Sequence, residues 1–222
     1  MSRRTVSMDD RLYGYVTRAF LREPAVMRRL RDETARLGDG VARMQIAPEQ
    51  GQLMGLLLEL IGARRVIEVG TFTGYSALAM ARALPPDGLL IACDVSEEWT
   101  RIARRYWSAA GLTRRIQLRL GPGLETLEAL LADGQAGSFD AVFLDADKVN
   151  QLRYYELALR LVRKGGLIMI DNVYWGVDAK KPGRGRPTAA AIARLNAKLR
   201  TDRRVTTALV PVADGLTLAR KR

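Results

Sequence analysis

Acidic and amide side chains follow two short apolar runs in the second half of the sequence. Asp145 and Asp147 lie in FDAVFLDADK, and Asp171 and Asn172 end IMIDN, 26 residues after Asp145. If both runs are strands of one parallel sheet, their carboxyl ends open toward the same crevice. Carboxylate and amide oxygens are the ligands that Mg²⁺ prefers. Asp145, Asp171 and Asn172 therefore form a candidate site for Mg²⁺ or another divalent cation such as Mn²⁺ or Ca²⁺.

Lys148 directly follows the first acidic pair and is the candidate general base, with Asp145 as the other catalytic residue. The ordinary lysine pKa of about 10.4 is too high for this work, but burial or a nearby cation favours the neutral amine. A catechol-type diol could fill two positions on the cation, which would lower the pKa of its phenol. Simpler roles are open: Asp145 or Asp147 could cap the next helix, and IMIDN could end in an ordinary Asx turn.

The segment VIEVGTFTGYSALAMA predicts a strand ending at Glu68, a sharp turn through Gly70 and Gly74, and then a helix. Its spacing, E-x-G-x-x-x-G, differs from the G-x-G-x-x-G pattern that holds a pyrophosphate. Asp94 ends the next apolar run, where a carboxylate can accept hydrogen bonds from both ribose hydroxyls. The turn 121–123 could frame a flat base. Together these residues fit a nucleoside without phosphates, as in S-adenosylmethionine; the alternative is a tight turn with a solvated aspartate.

Short apolar runs alternate with amphipathic stretches from residue 65 onward, which predicts a parallel sheet covered on both faces. We expect an α/β fold: a Rossmann-like, doubly wound, seven-stranded and mostly parallel sheet with an antiparallel last strand. The predicted strands are Val66–Val69, Leu89–Cys93, Ile116–Leu120, Ala141–Leu144 and Leu167–Ile170, then an antiparallel pair, Val205–Val210 and Gly215–Ala219. The predicted helices are Tyr75–Leu84, Glu97–Ala110, Leu124–Leu131, Asn150–Val162 and Thr188–Leu199.

Residues 8–62 have a helical pattern without strands. The predicted helices run from Asp9 or Asp10 to Phe20, from Pro24 to Leu37, and onward from Pro48. The leucines at helical spacing in the third helix could pack on the sheet or form a dimer face: Leu53, Leu56, Leu57 and Leu60. We predict one domain over residues 1–222, with a helical N-terminal extension at 1–62 and a Rossmann-like core at 63–222.

The composition excludes several kinds of chemistry. The 222 residues include no histidine and one cysteine, Cys93, which excludes a histidine base, histidine metal ligands and an internal disulfide. No apolar run approaches the roughly 18 residues of a membrane span, so we expect a cytoplasmic protein with no membrane partner. The 36 basic and 24 acidic residues give a net charge of +12. This charge suggests a nucleic acid or an acidic small molecule as partner, or a generally basic composition.

The motifs EVGTFTGYS, FLDADK and IDN, in this order and spacing, resemble the cation-dependent S-adenosylmethionine O-methyltransferases of the caffeoyl-CoA O-methyltransferase family, more distantly related to catechol O-methyltransferase. The similarity extends from Leu12-Tyr13 to the segment PVADG at 211–215. It implies a class I methyltransferase fold and a homodimer. For the cofactor it implies Glu68, Gly70, Thr71 and Ser76 at the methionine end, Asp94 at the ribose, Gly123 at the adenine, and Asp145 and Asp147 along the pocket. For the cation it implies Asp145, Asp171 and Asn172. Lys148 corresponds to the catalytic lysine.

Several positions bear on the acceptor. Trp175 and Lys148 are the predicted substrate contacts, and Arg4 falls where plant members have a substrate-contacting lysine. The loop that follows the D-N-x-x-W segment, here with the basic stretch Lys180–Arg186, is shorter than in plant members, which shortens the acceptor pocket. Ile46 stands where those members have a threonine close to the cofactor and cation.

These observations predict a divalent-metal-dependent O-methyltransferase that acts on a catechol-type small molecule, with an acidic or CoA-linked phenylpropanoid as one option. An RNA-modifying S-adenosylmethionine methyltransferase is the alternative that the charge suggests. Against it, the sequence has no Asn/Asp-Pro-Pro-aromatic motif and no basic stripe interleaved with aromatic residues, so a nucleic-acid partner is not expected. A third alternative is a binding module without catalysis, against which the complete ligand set argues.

Overall fold

The structure, a computed structural model, describes residues 7–174 and 187–222. Its strands are β1 (Arg65–Val69), β2 (Leu89–Asp94), β3 (Ile116–Leu120), β4 (Phe139–Leu144), β5 (Val162–Ile170), β6 (Val205–Val210) and β7 (Leu216–Lys221). Its helices are α1 (Asp10–Phe20), α2 (Ala25–Ala35), α3 (Asp39–Ala42), α4 (Pro48–Leu60), α5 (Tyr75–Ala83), α6 (Glu97–Ala109), α7 (Gly123–Ala132), α8 (Gln151–Leu161) and α9 (Pro187–Thr201), with a 3₁₀ helix at Lys148–Asn150.

The described strands form one seven-stranded sheet in the order β3-β2-β1-β4-β5-β7-β6. The strands from β3 to β5 are parallel, and β7 is antiparallel to both β5 and β6. The chain winds outward from β1 through β2 to β3, and then from β4 to β5 on the other side. The order therefore reverses between β1 and β4, where sheets of this kind bind ligands beyond the carboxyl ends of their strands. The predicted fold class is confirmed.

Helices cover both faces of the central strands, so these strands are buried throughout. In β1, Val66 packs with α2, α4, α5 and α6, whereas Ile67 and Val69 pack with α7, α8 and α9. In β4, Phe143 and Leu144 divide between the same two clusters. Continuous apolar runs such as these are what a sheet covered on both faces requires. A charged residue inside such a run therefore stands out.

The start of β5 differs from its prediction. The strand begins at Val162 and not at Leu167. Residues 163–166, which lie outside the predicted strand, continue it through an irregularity in its pairing with β4. Gly165 has a φ of +80° there, a backbone conformation that glycine adopts without strain.

Smaller differences occur at two further boundaries and at one short helix. Helix α2 ends at Ala35 rather than Leu37, and the short helix α3 gave no pattern long enough to predict it. Strand β7 begins at Leu216 because Gly215, with a φ of +86°, belongs to the turn before it. The other predicted elements are confirmed to within about three residues.

The N-terminal helices attach directly to the loop after β1. Tyr75, at the start of α5, donates a hydrogen bond of 2.8 Å from its hydroxyl to Glu23, which Arg31 also contacts through two hydrogen bonds. The hydroxyls of Thr34 and Thr73 lie 2.9 Å apart in the interior. Helix α2 and the residues just before it therefore support residues 71–75, and the buried side chains of α2 belong to the core.

The leucines of α4 divide between the two alternatives. Leu53 and Leu57 pack against the core, as one alternative predicted. Leu56 and Leu60 are exposed, with 52% and 72% of their surface accessible, so for them a dimer face stays a prediction. Within the two described ranges, no helix combines the length and the apolar character that crossing a membrane requires.

Candidate active site

The loops after β1 and β4 meet at the point where the strand order reverses. Asp145 N–H donates to the Val69 carbonyl at 2.8 Å, and Gly70 N–H donates to the Cys93 carbonyl at 2.9 Å. These bonds extend the sheet pairing just past the strand ends. Gly70 has a φ of +91°, and a Cβ at this position would lie 2.1 Å from the Asp145 carbonyl oxygen. The close approach of the two loops therefore requires glycine.

We predict that Gly70→Ala destabilises the protein by more than ~2 kcal/mol, because a left-handed conformation costs a non-glycine residue roughly 1–2 kcal/mol and the clash adds to that. Urea unfolding measures the loss. Gly38→Ala is the matched control, since Gly38 has a φ of +96° and open space around its missing Cβ. Equal losses in the two variants would show that the loops can separate at no cost.

Glu68 is a carboxylate in the interior of the sheet, fully buried. Its Oε2 accepts a hydrogen bond of 2.9 Å from the Thr71 hydroxyl. Its Oε1 has no hydrogen-bond partner among the described residues. Burial raises the pKa of Glu68 to about 8, against the lowering effect of the Ser76 and Thr71 hydroxyls. A buried carboxylate oxygen without a hydrogen-bond partner is costly, so it marks a place for a donor on a ligand.

Asp94, at the end of β2, already binds the loop after β1. One carboxylate oxygen accepts from the N–H groups of Thr71 and Phe72, at 2.9 and 2.7 Å, and the other accepts from Ser96 N–H at 2.8 Å. Asp94 is thus more than a solvated aspartate, because it fixes the turn. Phe72 has a φ of +52°, which is uncommon for a residue with a side chain and is compensated here by its hydrogen bond.

Gly123 and its neighbours form the next part of the edge. Gly123 is the first residue of α7, and a Cβ on it would lie 2.5 Å from Val69 Cγ1. Its absence of a side chain therefore lets α7 pack closely on β1. Beside it, Val95 and Leu120 are exposed apolar side chains directly after β2 and at the end of β3. They provide an apolar surface at the position where the adenine was predicted.

Asp145 and Lys148 form an ion pair at the end of β4. Lys148 Nζ donates to Asp145 Oδ1 at 2.8 Å, and both side chains are largely buried. Burial raises the pKa of Asp145, whereas the Lys148 charge opposes that rise. Asp145 does not cap the 3₁₀ helix. Among the described residues, no group donates a hydrogen bond to its second carboxylate oxygen.

Asp171 and Asn172 follow β5 and lie beside Asp145. Asp171 is only 3% exposed. Burial and then the neighbouring Asp145 charge raise its pKa. Asn172 N–H donates to Asp171 Oδ1 at 2.8 Å, and Asn172 has a φ of +58°. The structure thus brings together the two carboxylates and the amide predicted as cation ligands. No cluster of three or more His, Cys, Asp or Glu residues occurs in the described ranges, so the set consists of two carboxylates and an amide.

Asp147 confirms the capping alternative. It is the N-cap of the 3₁₀ helix, and its Oδ2 accepts from Asn150 N–H at 3.2 Å and from the Asn150 side-chain amide at 2.7 Å. Its Oδ1 accepts from the Tyr154 hydroxyl at 2.6 Å. Asp147 therefore orders the segment that carries Lys148, whatever else it contacts.

Two buried glutamines near Asp171 were missed by sequence reasoning. Gln151 Nε2 donates to the Asp171 carbonyl at 3.1 Å, and its Oε1 has no partner. Gln50 of α4 faces the Asp171 carboxylate and lowers its pKa, but neither of its amide atoms has a hydrogen bond of good geometry. With Glu68, these side chains hold all the unpaired buried side-chain polar atoms of the described chain. In the sequence, the only sign of these two residues is a polar side chain on the face of a helix that is otherwise buried.

Two further residues named from the sequence, Ile46 and Ser76, are buried. Ile46 is buried in the apolar cluster of α4 and α5, close to Gly51, so its apolar side chain serves packing. Ser76 is buried at the start of α5. Trp175, Arg4 and the Lys180–Arg186 loop fall outside the described residues.

A sheet of this order, with a buried acid in β1, a glycine turn directly after it and a second acid ending β2, is the arrangement of an S-adenosylmethionine-dependent methyltransferase. The chain belongs to the O-methyltransferase family, whose model matches residues 17–222. This confirms the family and enzyme class that the motifs predicted.

The chain is similar to named members along most of its length. It is 42% identical over 230 residues to tricin synthase 1 of Oryza sativa subsp. japonica, covering 98% of this chain and 90% of that one. It is 38% identical over 226 residues to caffeoyl-CoA O-methyltransferase of Eucalyptus gunnii, with the same coverage. Among solved structures, the O-methyltransferase TomG of Streptomyces achromogenes, involved in tomaymycin synthesis and crystallised with S-adenosylmethionine, has a TM-score of 0.84 at 30% identity over 94% of each chain.

Proposed function

We propose that the protein transfers the methyl group of S-adenosylmethionine to a hydroxyl of a catechol-type small molecule, with a divalent cation held by Asp145, Asp171 and Asn172. The observation that carries this proposal is the convergence of a buried carboxylate, a largely buried one that repels it, and an amide at the carboxyl ends of β4 and β5. Such an arrangement is unfavourable without a cation, because each carboxylate raises the cost of ionising the other.

The donor set fits a hard divalent cation. It offers side-chain oxygens only, and the three side chains leave coordination positions for water or an acceptor. Asp214 adds a further negative charge close to the site, because this charge also raises the pKa of Asp145. Lys148 is the one cation in contact with this group among the described side chains. We propose Mg²⁺ first, with Mn²⁺ or Ca²⁺ as alternatives.

The residues at the carboxyl ends of β1 and β2, with the loop after β1, fit the proposed methyl donor. We assign the free Oε1 of Glu68 to the amino group of the methionine moiety, with Gly70, Thr71 and Ser76 around it. Asp94 uses three of its lone pairs on the backbone, which leaves Oδ1 able to accept from one ribose hydroxyl. We assign Gly123 and the exposed apolar residues beside it to the adenine, and Asp147 to the lining of the same pocket.

The chain's own groups would orient the acceptor and accept its proton. When bound, the cation supplies Lewis-acid polarisation of the acceptor hydroxyl and fixes its orientation. With a cation bound at Asp145, Asp171 and Asn172, the Lys148 ammonium would lose a proton to solvent more readily, and the resulting neutral amine would accept the proton of the acceptor hydroxyl. The methyl group then moves from the sulfonium sulfur to the hydroxyl oxygen, and S-adenosylhomocysteine leaves with the electron pair of the broken S–C bond.

The acceptor side of the crevice has apolar character. Val149 and Tyr174 are exposed on the loops that follow β4 and β5, and an aromatic ring can pack on such side chains. We propose Trp175 as a further wall of this pocket. Caffeoyl-CoA, which is part of the name of one relative, and other phenylpropanoid diols are therefore the acceptors to test first.

Removal of the cation tests the proposal. Protein dialysed against EDTA should methylate a caffeoyl-type diol at least ~100-fold more slowly than the Mg²⁺-loaded protein, because Lewis-acid stabilisation is worth several kcal/mol. S-adenosylhomocysteine formation measures the rate, and added Mg²⁺ should restore it. A matched monophenol, which cannot occupy two cation positions, should react slowly in both states. Full activity toward the diol in EDTA would contradict the cation's role.

The relatives support a small-molecule O-methyltransferase, so an RNA substrate is not favoured despite the net charge of +12. We propose a homodimer, a cytoplasmic location and one domain with a helical N-terminal extension.

A further inference from the structure

The turn between β6 and β7, PVADG at 211–215, packs on the segment that carries the proposed cation ligands. Tyr174 N–H donates to the Asp214 carbonyl at 2.9 Å, and Val173 N–H donates to the Gly215 carbonyl at 3.2 Å. Gly215 has a φ of +86°, and a Cβ on it would lie 2.7 Å from the Tyr174 ring. The turn is therefore fixed against residues 172–174, although about 40 residues separate the two segments in sequence.

The side chain of Asp214 contacts the amide of Asn172. Asn172 Nδ2 donates to Asp214 Oδ2 at 3.4 Å. An asparagine amide has a donor end and an acceptor end, and a carboxylate can only accept from the donor end. With Nδ2 turned toward Asp214, the carbonyl Oδ1 of Asn172 is turned away from it and is available to a cation. Side chains that hold a metal ligand in this way commonly set its orientation.

We propose that Asp214 is a positioning residue of the cation site, which fixes the Asn172 amide so that its oxygen faces the cation. This inference rests on the proposed cation site at Asp145, Asp171 and Asn172. The contacts that hold the turn in place come from the backbone of residues 214 and 215. The Asp214 side chain is exposed and has this one hydrogen bond recorded in the described chain, so its replacement leaves the fold intact.

Binding of Mn²⁺ to the full chain, followed by electron paramagnetic resonance without methyl donor or acceptor, tests the role. Asp214→Ala should raise the Kd for Mn²⁺ about tenfold, the lower end of the usual effect of removing such a partner. Asp214→Asn, which keeps an oxygen acceptor for Nδ2, should lose less than Asp214→Ala. Asp87→Ala removes an exposed carboxylate that pairs with Arg64 at the opposite edge of the sheet, and should bind Mn²⁺ as the parent does.

A second background separates orientation from charge. Asn172→Asp keeps an oxygen ligand but has no amide to orient, so adding Asp214→Ala there should cause no further loss of affinity. A tenfold loss in both backgrounds would overturn the positioning role, because Asp214 would then act through its charge alone. Unchanged affinity in Asp214→Ala would overturn it too. Failure of the parent protein itself to bind Mn²⁺ would instead refute the proposed cation site. Thermal unfolding in EDTA checks that each variant is folded.

Discussion

Asp145→Asn is expected to lower kcat/KM for a catechol-type acceptor by about a thousandfold. Asp145 is at once a proposed cation ligand and the partner of Lys148, whose Nζ lies 2.8 Å from its Oδ1. The amide keeps an oxygen but removes the negative charge that holds the cation. Loss of the several kcal/mol of charge stabilisation that a cation supplies corresponds to about three powers of ten in rate.

An exposed aspartate far from the proposed cation site provides the control for this variant. Asp133 lies at the C-terminal end of α7, away from the switch point, and Asp133→Asn should keep the full rate. Binding of S-adenosylmethionine by Asp145→Asn, measured by calorimetry, should change much less than the rate. Activity above a tenth of the parent value in saturating Mg²⁺ would mean that Asp145 is not a required ligand.

The sheet and the positions of its acids could be predicted because strand ends set them. Each parallel strand is an uninterrupted apolar run, and each acid comes where the run stops. The carboxyl ends of parallel strands meet at one edge, so Asp145 and Asp171 had to lie close together once the strands were known. The burial of Glu68 also follows, since the residues on both sides of it belong to the sheet.

Contacts made by distant elements could not be predicted in the same way. Gln50 reaches Asp171 from α4 because α4 packs against α5, a tertiary arrangement that helical periodicity does not specify. Asp214 reaches Asn172 only because β7 lies antiparallel beside β5. The role of Asp147 could not be predicted for a different reason. An aspartate that caps a helix and one that binds a ligand can both follow directly after a strand, so the sequence pattern does not distinguish them.

Glu68→Gln is expected to stabilise the protein without ligand at pH 8 while weakening its binding of S-adenosylmethionine. The pKa of Glu68 is raised to about 8 from an ordinary value of 4.5. Between these values the folded protein holds a proton that the unfolded chain releases, so the free energy of unfolding falls as pH rises. The neutral amide removes this dependence. We expect a gain of about 4 kcal/mol at pH 8 and only about 1 kcal/mol at pH 5.

The same substitution removes the negative charge proposed to bind the amino group of the methionine moiety. Loss of a charge-assisted hydrogen bond in a buried site costs roughly 1.5–3 kcal/mol, so the Kd for S-adenosylmethionine should rise at least about tenfold. Urea unfolding at pH 5 and pH 8 and calorimetry at pH 8 measure the two effects. Glu128→Gln, on the exposed part of α7, should change neither. A carboxylate with a purely structural role would lose stability when replaced, whereas one retained for a cationic ligand gains stability and loses affinity together.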